Sequence, residues 1–192
     1  MNITKKVSRG KLSKMQSQSR LKKLGNWLLI IGLTGLIALI VRTWLVVPAT
    51  VAGPSMRPTL KSGDYLLLKK FGQVHRFDIV VFKEAGTTYV KRVIGLPGET
   101  VSYRHDQLYI DGRAVAEPFL NRVKHQKTVL TSDFDLATLT DSKVVPANHY
   151  FVLGDNRRIS KDSRTFGPIS QTTMIGRASM VYYPITHLKL LP

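Results

Sequence analysis

Residues 77–99 read FDIVVFKEAGTTYVKRVIGLPGE. FDIVVFK (77–83) and TTYVKRVI (87–94) are short, rich in β-branched and aromatic residues, and set among glycine and proline, so each reads as a strand. Alternate residues of a strand share a face. On the second strand Tyr89, Lys91 and Val93 point one way and Val90, Arg92 and Ile94 the other. A lysine and an arginine on opposite faces of one apolar strand cannot both reach open water if the sheet is packed on both sides. Lys91 among apolar neighbours is then desolvated, which disfavours its ammonium and lowers its pKa. To act as a base near pH 7 it must drop by about 3 units, a differential cost of about 4 kcal/mol. The alternative is an edge strand with Lys91 in solvent.

The same pattern extends through residues 48–192. Further strands are expected at 64–69 (DYLLLK), 99–104 (ETVSYR), 107–110 (QLYI), 149–153 (HYFVL) and 174–183 (MIGRASMVYY). Asp111-Gly112 between QLYI and RAVA is a strong hairpin signal. No long stretch has helical periodicity and there is no internal repeat. Residues 121–147 are polar and irregular and read as a surface insertion. The fold class is mostly β, with one N-terminal helix of a different kind.

That helix comes from WLLIIGLTGLIALIVRTWLVVP, Trp27 to Pro48. Trp27 to Trp44 would span about 26 Å, close to the hydrocarbon thickness of a bilayer, with a tryptophan at each interface. Arg42 lies within a turn of the outer end and can snorkel to the headgroups. A cleaved leader or a buried core helix would also be apolar. The run is long for a leader core, Arg42 and Trp44 separate it from any cut near Val47-Pro48-Ala49, and no helical partner domain is in sight. Residues 1–26 hold eight basic residues and no acid. The expectation is therefore a basic cytoplasmic tail at 1–26, a transmembrane helix at 27–47 and an extracytoplasmic domain at 48–192 on the cell membrane.

The 192 residues carry 29 Lys+Arg against 12 Asp+Glu, a net charge of +17, and no cysteine. A Cys nucleophile, a disulfide scaffold and a Cys-based metal site are excluded. The charge suggests nucleic acid, a membrane surface or another polyanion. Its placement argues against nucleic acid: the tail holds eight basic residues, Arg42 is one more, and the other 20 lie in 48–192 beside all 12 acids. The lipid bilayer is the expected partner of this charge. None of His75, His105, His125, His149 and His187 stands at a short ligand spacing from another, so no metal is expected. No Walker loop, dinucleotide fingerprint or G-x-S-x-G elbow is present, and no cofactor is expected. A Ser-His-Asp triad is assembled in space and is left open by spacing alone.

Three islands carry the candidate chemistry. Gly53-Pro54-Ser55-Met56-Arg57-Pro58-Thr59-Leu60 holds Ser55 between two prolines that fix φ. Tyr89 to Glu99 contains Lys91. Gly154-Asp155-Asn156-Arg157-Arg158-Ile159-Ser160-Lys161-Asp162-Ser163-Arg164-Thr165-Phe166-Gly167 gathers hydroxyls, carboxylates and guanidiniums between glycines. Each alone could be a solvated turn or an exposed strand.

In this order, after an apolar span, the islands resemble the blocks of bacterial type I signal peptidases. GDYLLLKK (63–70) and DGRAVAEPFL (111–120) resemble weaker blocks of the same family, and the likeness runs from about Trp27 to Tyr183. The resemblance implies a signal-peptidase-like β-sheet body and a serine–lysine dyad, with Ser55 as nucleophile and Lys91 as general base. A neutral, desolvated lysine can activate a serine hydroxyl without histidine. Ser160 matches the serine that orients the base, and Asp162 and Arg164 match a structural ion pair. Asp155 is expected to pair with Arg92 on the strand's other face.

One position departs from part of the family. Some members carry a second serine two residues before the nucleophile, whose hydroxyl donates to the oxyanion; here it is Gly53. The expected oxyanion donors are the backbone N–H groups of Ser55 and Gly53, since Pro54 has none. The substrates implied are secretory preproteins with small residues at the first and third positions before the cut, bound as an extended strand. The alternatives are a specialised pilus- or assembly-associated peptidase and a non-enzymatic membrane-anchored polyanion-binding protein. The presence of both Ser55 and Lys91 favours the enzyme.

Overall fold

A computed structural model describes residues 23, 25–36, 46–70, 72–121 and 129–192. Strand β1 is Val46–Thr50, β2 Tyr65–Lys69, β3 Ile79–Glu84 and β4 Thr87–Gly95. Then come β5 (Val101–Arg104), β6 (Gln107–Ile110), β7 (Arg113–Val115) and β8 (Phe134–Asp135). The series ends with β9 (His149–Leu153), β10 (Ile169–Ser170), β11 (Met174–Tyr183) and β12 (Lys189–Leu190). The described body is mostly β. All seven strands expected from sequence are found, each boundary within two residues.

The larger sheet runs β1-β2-β11-β3-β4-β9-β10, with β12 paired to β11; the smaller runs β7-β6-β5-β8. Three tight hairpins explain much of this order. Ala85-Gly86, His105-Asp106 and Asp111-Gly112 all have positive φ at both turn residues, the backbone a two-residue turn needs to match the twist of its strands. They join β3 to β4, β5 to β6 and β6 to β7 with the flanking residues in direct register.

The larger sheet is covered on both faces where β3 and β4 cross it. Ile79 and Val81 pack with Leu66, Leu68, Met56 and Leu60. Val80 and Phe82 pack the other way with Val93 and Val152. Ile94, Phe151 and Leu153 join Val101, Tyr103 and Leu108 of the smaller sheet. Full burial of each such aliphatic side chain contributes about 1.5–3 kcal/mol. With β4 closed in from Lys91 to Gly95, Lys91 is 2% exposed, so it does not lie in solvent as the alternative required.

The 121–147 stretch is more than a surface insertion. Residues 122–128 lie outside the described residues, but β8 pairs with β5 and Thr131, Leu136 and Val145 are fully buried. Its apolar side chains are too few to show a period, yet Leu136 and Val145 join the core while Val129, Leu139 and Val144 stay exposed.

The chain divides after Trp44 into two units. In the first, residues 25–36 are helical and expose Trp27, Leu28, Leu29, Ile30, Ile31, Leu33 and Leu36. Among the described residues no helix is long and apolar enough to cross a membrane. Residues 37–45 of the expected 27–47 span, and residues 1–22 of the basic tail, lie outside the described residues.

Candidate active site

Ser55 lies in the loop joining β1 to β2. Val51 and Asp64 close its ends, Val51 N–H donating to Asp64 O at 2.8 Å and Gly63 N–H to Val51 O at 2.9 Å. Inside, Leu60 N–H donates to Met56 O at 2.8 Å, and the buried Met56 and Leu60 side chains pin the turn to the core. Gly53, with φ +84°, supplies a left-handed residue before the serine that other residues resist.

Lys91 Nζ lies 2.8 Å from Ser55 Oγ, the ammonium donating. After deprotonation the same contact can reverse, with Oγ–H donating to the nitrogen lone pair. Burial, first of all, lowers the Lys91 pKa to about 8. Asp162 and Asp155 push it up and Arg164 pushes it down. The fall is smaller than the 3 units the sequence argument asked for, and it leaves about a tenth of Lys91 neutral at pH 7.

The third island wraps this pair. Asn156 N–H donates to Ser55 O at 2.9 Å and its side-chain amide to Pro54 O at 3.3 Å, so the loop after β9 grips the nucleophile's backbone. Asp162 is fully buried. It accepts Gly154 N–H at 3.0 Å and two bonds at 2.9 Å from the Arg164 guanidinium. Asp155 accepts Arg92 Nε at 2.8 Å and Nη2 at 2.6 Å. Arg92 also donates to Phe77 O at 2.8 Å and to Thr59 Oγ1 at 3.3 Å, reaching the nucleophile loop from the far side of β4.

One expected contact is absent. Ser160 Oγ is buried with no hydrogen-bond partner among the described residues and does not reach Lys91. It is packed against Gly154, where an added Cβ would come within 2.6 Å of both Ser160 Cβ and Ser55 O. The turn held by Ser160 N–H donating to Asn156 O aims its side chain there. Gly53 N–H, expected at the oxyanion, donates instead to Ser62 Oγ at 3.3 Å. Ser55 N–H has no acceptor among the described residues.

Sequence reasoning missed the anchor of the third island. Arg157 is buried, with Nε donating to Gly154 O at 3.0 Å and Nη2 to Glu117 Oε1 at 2.5 Å. Its Nη1 donates to Tyr103 OH, which donates to Glu117 Oε2 at 2.5 Å. Arg157 stands next to Asn156, and alternation along ETVSYR would point Tyr103 inward; those were the available signals.

A cleft of about 440 Å³ opens over the pair, lined by residues 50–56 and 87–91 together with Ile159 and Lys161. Along it the edge of β4 is open, because β9 pairs only with Arg92 to Gly95. Among the described residues no three His, Asp or Glu side chains are grouped to hold a metal ion.

The family model described as signal peptidase, peptidase S26, matches residues 24–183. Signal peptidase I V of Bacillus subtilis is 45% identical over 160 residues, covering 78% of this chain and 94% of its own. Signal peptidase IB of Staphylococcus aureus is 39% identical over 179 residues, covering 88% and 94%. The crystal structure of a signal peptidase I from Enterococcus faecalis V583 superposes with a TM-score of 0.53 at 45% identity, covering 55% of this chain and 97% of that one.

Proposed function

This chain belongs to the signal peptidase family, peptidase S26, a family of serine endopeptidases, and on that premise we propose that it removes signal peptides from secretory preproteins with Ser55 as nucleophile and Lys91 as general base. The observation that carries the reading is the 2.8 Å contact between Lys91 Nζ and Ser55 Oγ inside the cleft.

Neutral Lys91 takes the Ser55 proton as Oγ attacks the scissile carbonyl. Ser55 N–H, which has no acceptor among the described residues, faces the charge that develops on the carbonyl oxygen. The Lys91 ammonium then protonates the leaving amine, and the C–N bond breaks. Lys91, neutral again, deprotonates a water that hydrolyses the acyl-enzyme. Asp155, Asp162 and Arg164 position the third island against this pair. Ser160 Oγ, buried without a partner among the described residues, is the spare hydroxyl that a small shift of the loop would offer to Lys91, and release of Gly53 from Ser62 would supply a second oxyanion donor. The preprotein lies along the open edge of β4 as an added strand. We assign residues 1–26 to a cytoplasmic tail, 27–47 to a membrane anchor and 48–192 to the extracytoplasmic enzyme. The exposed apolar residues of helix 25–36 support the anchor, and anchoring in the substrate's own bilayer raises effective concentration.

Cleavage of a preprotein by the detergent-solubilised full chain, with the new N-terminus read by mass spectrometry, tests the function. Alanine at the first and third positions before the cut should give one product, and a bulky residue at either position should suppress it. Processing indifferent to both positions would refute the assignment. The pH profile tests the base. Lys91 must be neutral to act, so kcat/KM should rise about tenfold from pH 7 to a plateau above the folded pKa of about 8. A flat profile across that range would exclude Lys91 as base.

A further inference from the structure

A second cavity, of about 260 Å³, lies between Pro58–Asp64 and Thr186–Lys189. It shares no lining residue with the Ser55–Lys91 cleft. The family match ends at residue 183, so His187 and Lys189 stand beyond it.

The walls are tied together by one polar chain. Asp64, 2% exposed, accepts Lys61 N–H through Oδ2 at 2.9 Å and meets His187 Nδ1 through Oδ1 at 2.9 Å. His187 Nε2 lies 2.9 Å from Lys61 Nζ. An ammonium only donates and a carboxylate only accepts. The two contacts are satisfied together by the tautomer that carries a proton on Nδ1 and turns the Nε2 lone pair toward Lys61. Asp64 also lines the cavity, with each carboxylate oxygen already engaged in one hydrogen bond. On the other wall Lys189 Nζ donates to Thr59 O. These bonds use one of three donors on each ammonium, leaving two on Lys61 and two on Lys189 at the same cavity. Desolvation at the cavity wall, first of all, holds Lys189 below the ordinary lysine value, while Asp64 and Asp155 push it up and Arg92 and Lys61 push it down.

We propose that this cavity binds a phosphate-type oxyanion, clasped between Lys61 and Lys189 with the Thr59 hydroxyl as a further donor. Charge-assisted bonds from two ammoniums are the strong kind. The volume falls below the roughly 300–1,000 Å³ of drug-sized ligand sites and suits one phosphate group. That group can belong to free phosphate or to a lipid headgroup. None of its residues lines the Ser55–Lys91 cleft, although Thr59, Lys61 and Asp64 belong to the loop that carries Ser55.

The test is calorimetric titration of the full chain, in nonionic detergent at constant ionic strength, with inorganic phosphate. Saturable one-to-one binding is expected, weakened about tenfold or more by Lys61→Gln and by Lys189→Gln and unchanged by Lys143→Gln, an exposed lysine outside the cavity. Lys189 is exposed, so its variant remains informative should Lys61→Gln fail to fold. Absence of saturation at tens of millimolar phosphate, or equal binding by all variants, would overturn the site. A second arm adds phosphatidylglycerol to the micelles, with phosphatidylcholine as control. Displacement of bound phosphate by the anionic lipid assigns the cavity to a headgroup, and persistence of phosphate assigns it to the free anion.

Discussion

Lys91→Met should abolish preprotein cleavage while making the folded protein more stable. The loss follows from the mechanism. Without a base at Nζ, Ser55 keeps its proton, and removing one member of a nucleophile–base unit lowers kcat by roughly 10⁴–10⁶-fold. Ser55→Ala should fall as far, and the double variant little further, because the two act as one unit. The gain follows from linkage. Lys91 is 2% exposed and burial lowers its pKa from 10.5 to about 8. Below pH 8 the native state carries the proton at full cost; between 8 and 10.5 the unfolded chain binds a proton the native state has released, and the cost fades. At pH 7 the buried ammonium therefore destabilises by up to about 3 kcal/mol, which methionine, of similar length and uncharged, would recover. Thermal unfolding at pH 7 and pH 10 reads the effect: the variant's advantage should be large at pH 7 and shrink at pH 10. Cleavage within tenfold of wild type by either single variant would refute the dyad. A loss of stability at pH 7 would refute the desolvation account of Lys91.

The strands around this pair were legible because a period of two and paired turn residues leave a local signature. TTYVKRVI shows it plainly, with Lys91 and Arg92 on opposite faces of an apolar run. Strand β1 carried no such signature, since Val46 and Val47 end a long apolar stretch with no alternation. Glu117 was silent for another reason: it lies 40 residues from its partner Arg157, and one carboxylate in DGRAVAEPFL has no pattern to betray burial. Thr131, Leu136 and Val145 are core residues scattered through a polar stretch. At the site, the order of the three islands was legible, but the direction of single bonds was not. Gly53, at φ +84°, has its N–H on Ser62, and Ser160 Oγ packs against Gly154 because the turn closed by Ser160 N–H on Asn156 O aims it there.

The other large effect should come from the far side of β4. Arg92 and Asp155 are 2% and 0% exposed in their side chains, and the guanidinium lies 4.0 Å from the Phe119 ring centroid. Arg92→Met would leave the Asp155 carboxylate buried without its partner, and breaking a buried pair from one side costs about 3–5 kcal/mol. In a body of this size that lowers Tm by roughly 10 °C. Replacing both members by apolar residues removes the stranded charge, so Arg92→Met/Asp155→Leu should regain most of the stability. Activity should not follow. Arg92 spans from Thr59, on the nucleophile loop, to Asp155, beside the Asn156 N–H that holds Ser55 O. An apolar pair fills the same space but sets neither loop to within the fraction of an ångström that Ser55 and Lys91 require. The double variant should therefore unfold near the wild-type temperature and cleave at least tenfold more slowly, through kcat rather than KM. Full recovery of both would reduce the pair to a stabilising contact. A single variant costing under 1 kcal/mol would show that Asp155 finds water or another partner on losing Arg92.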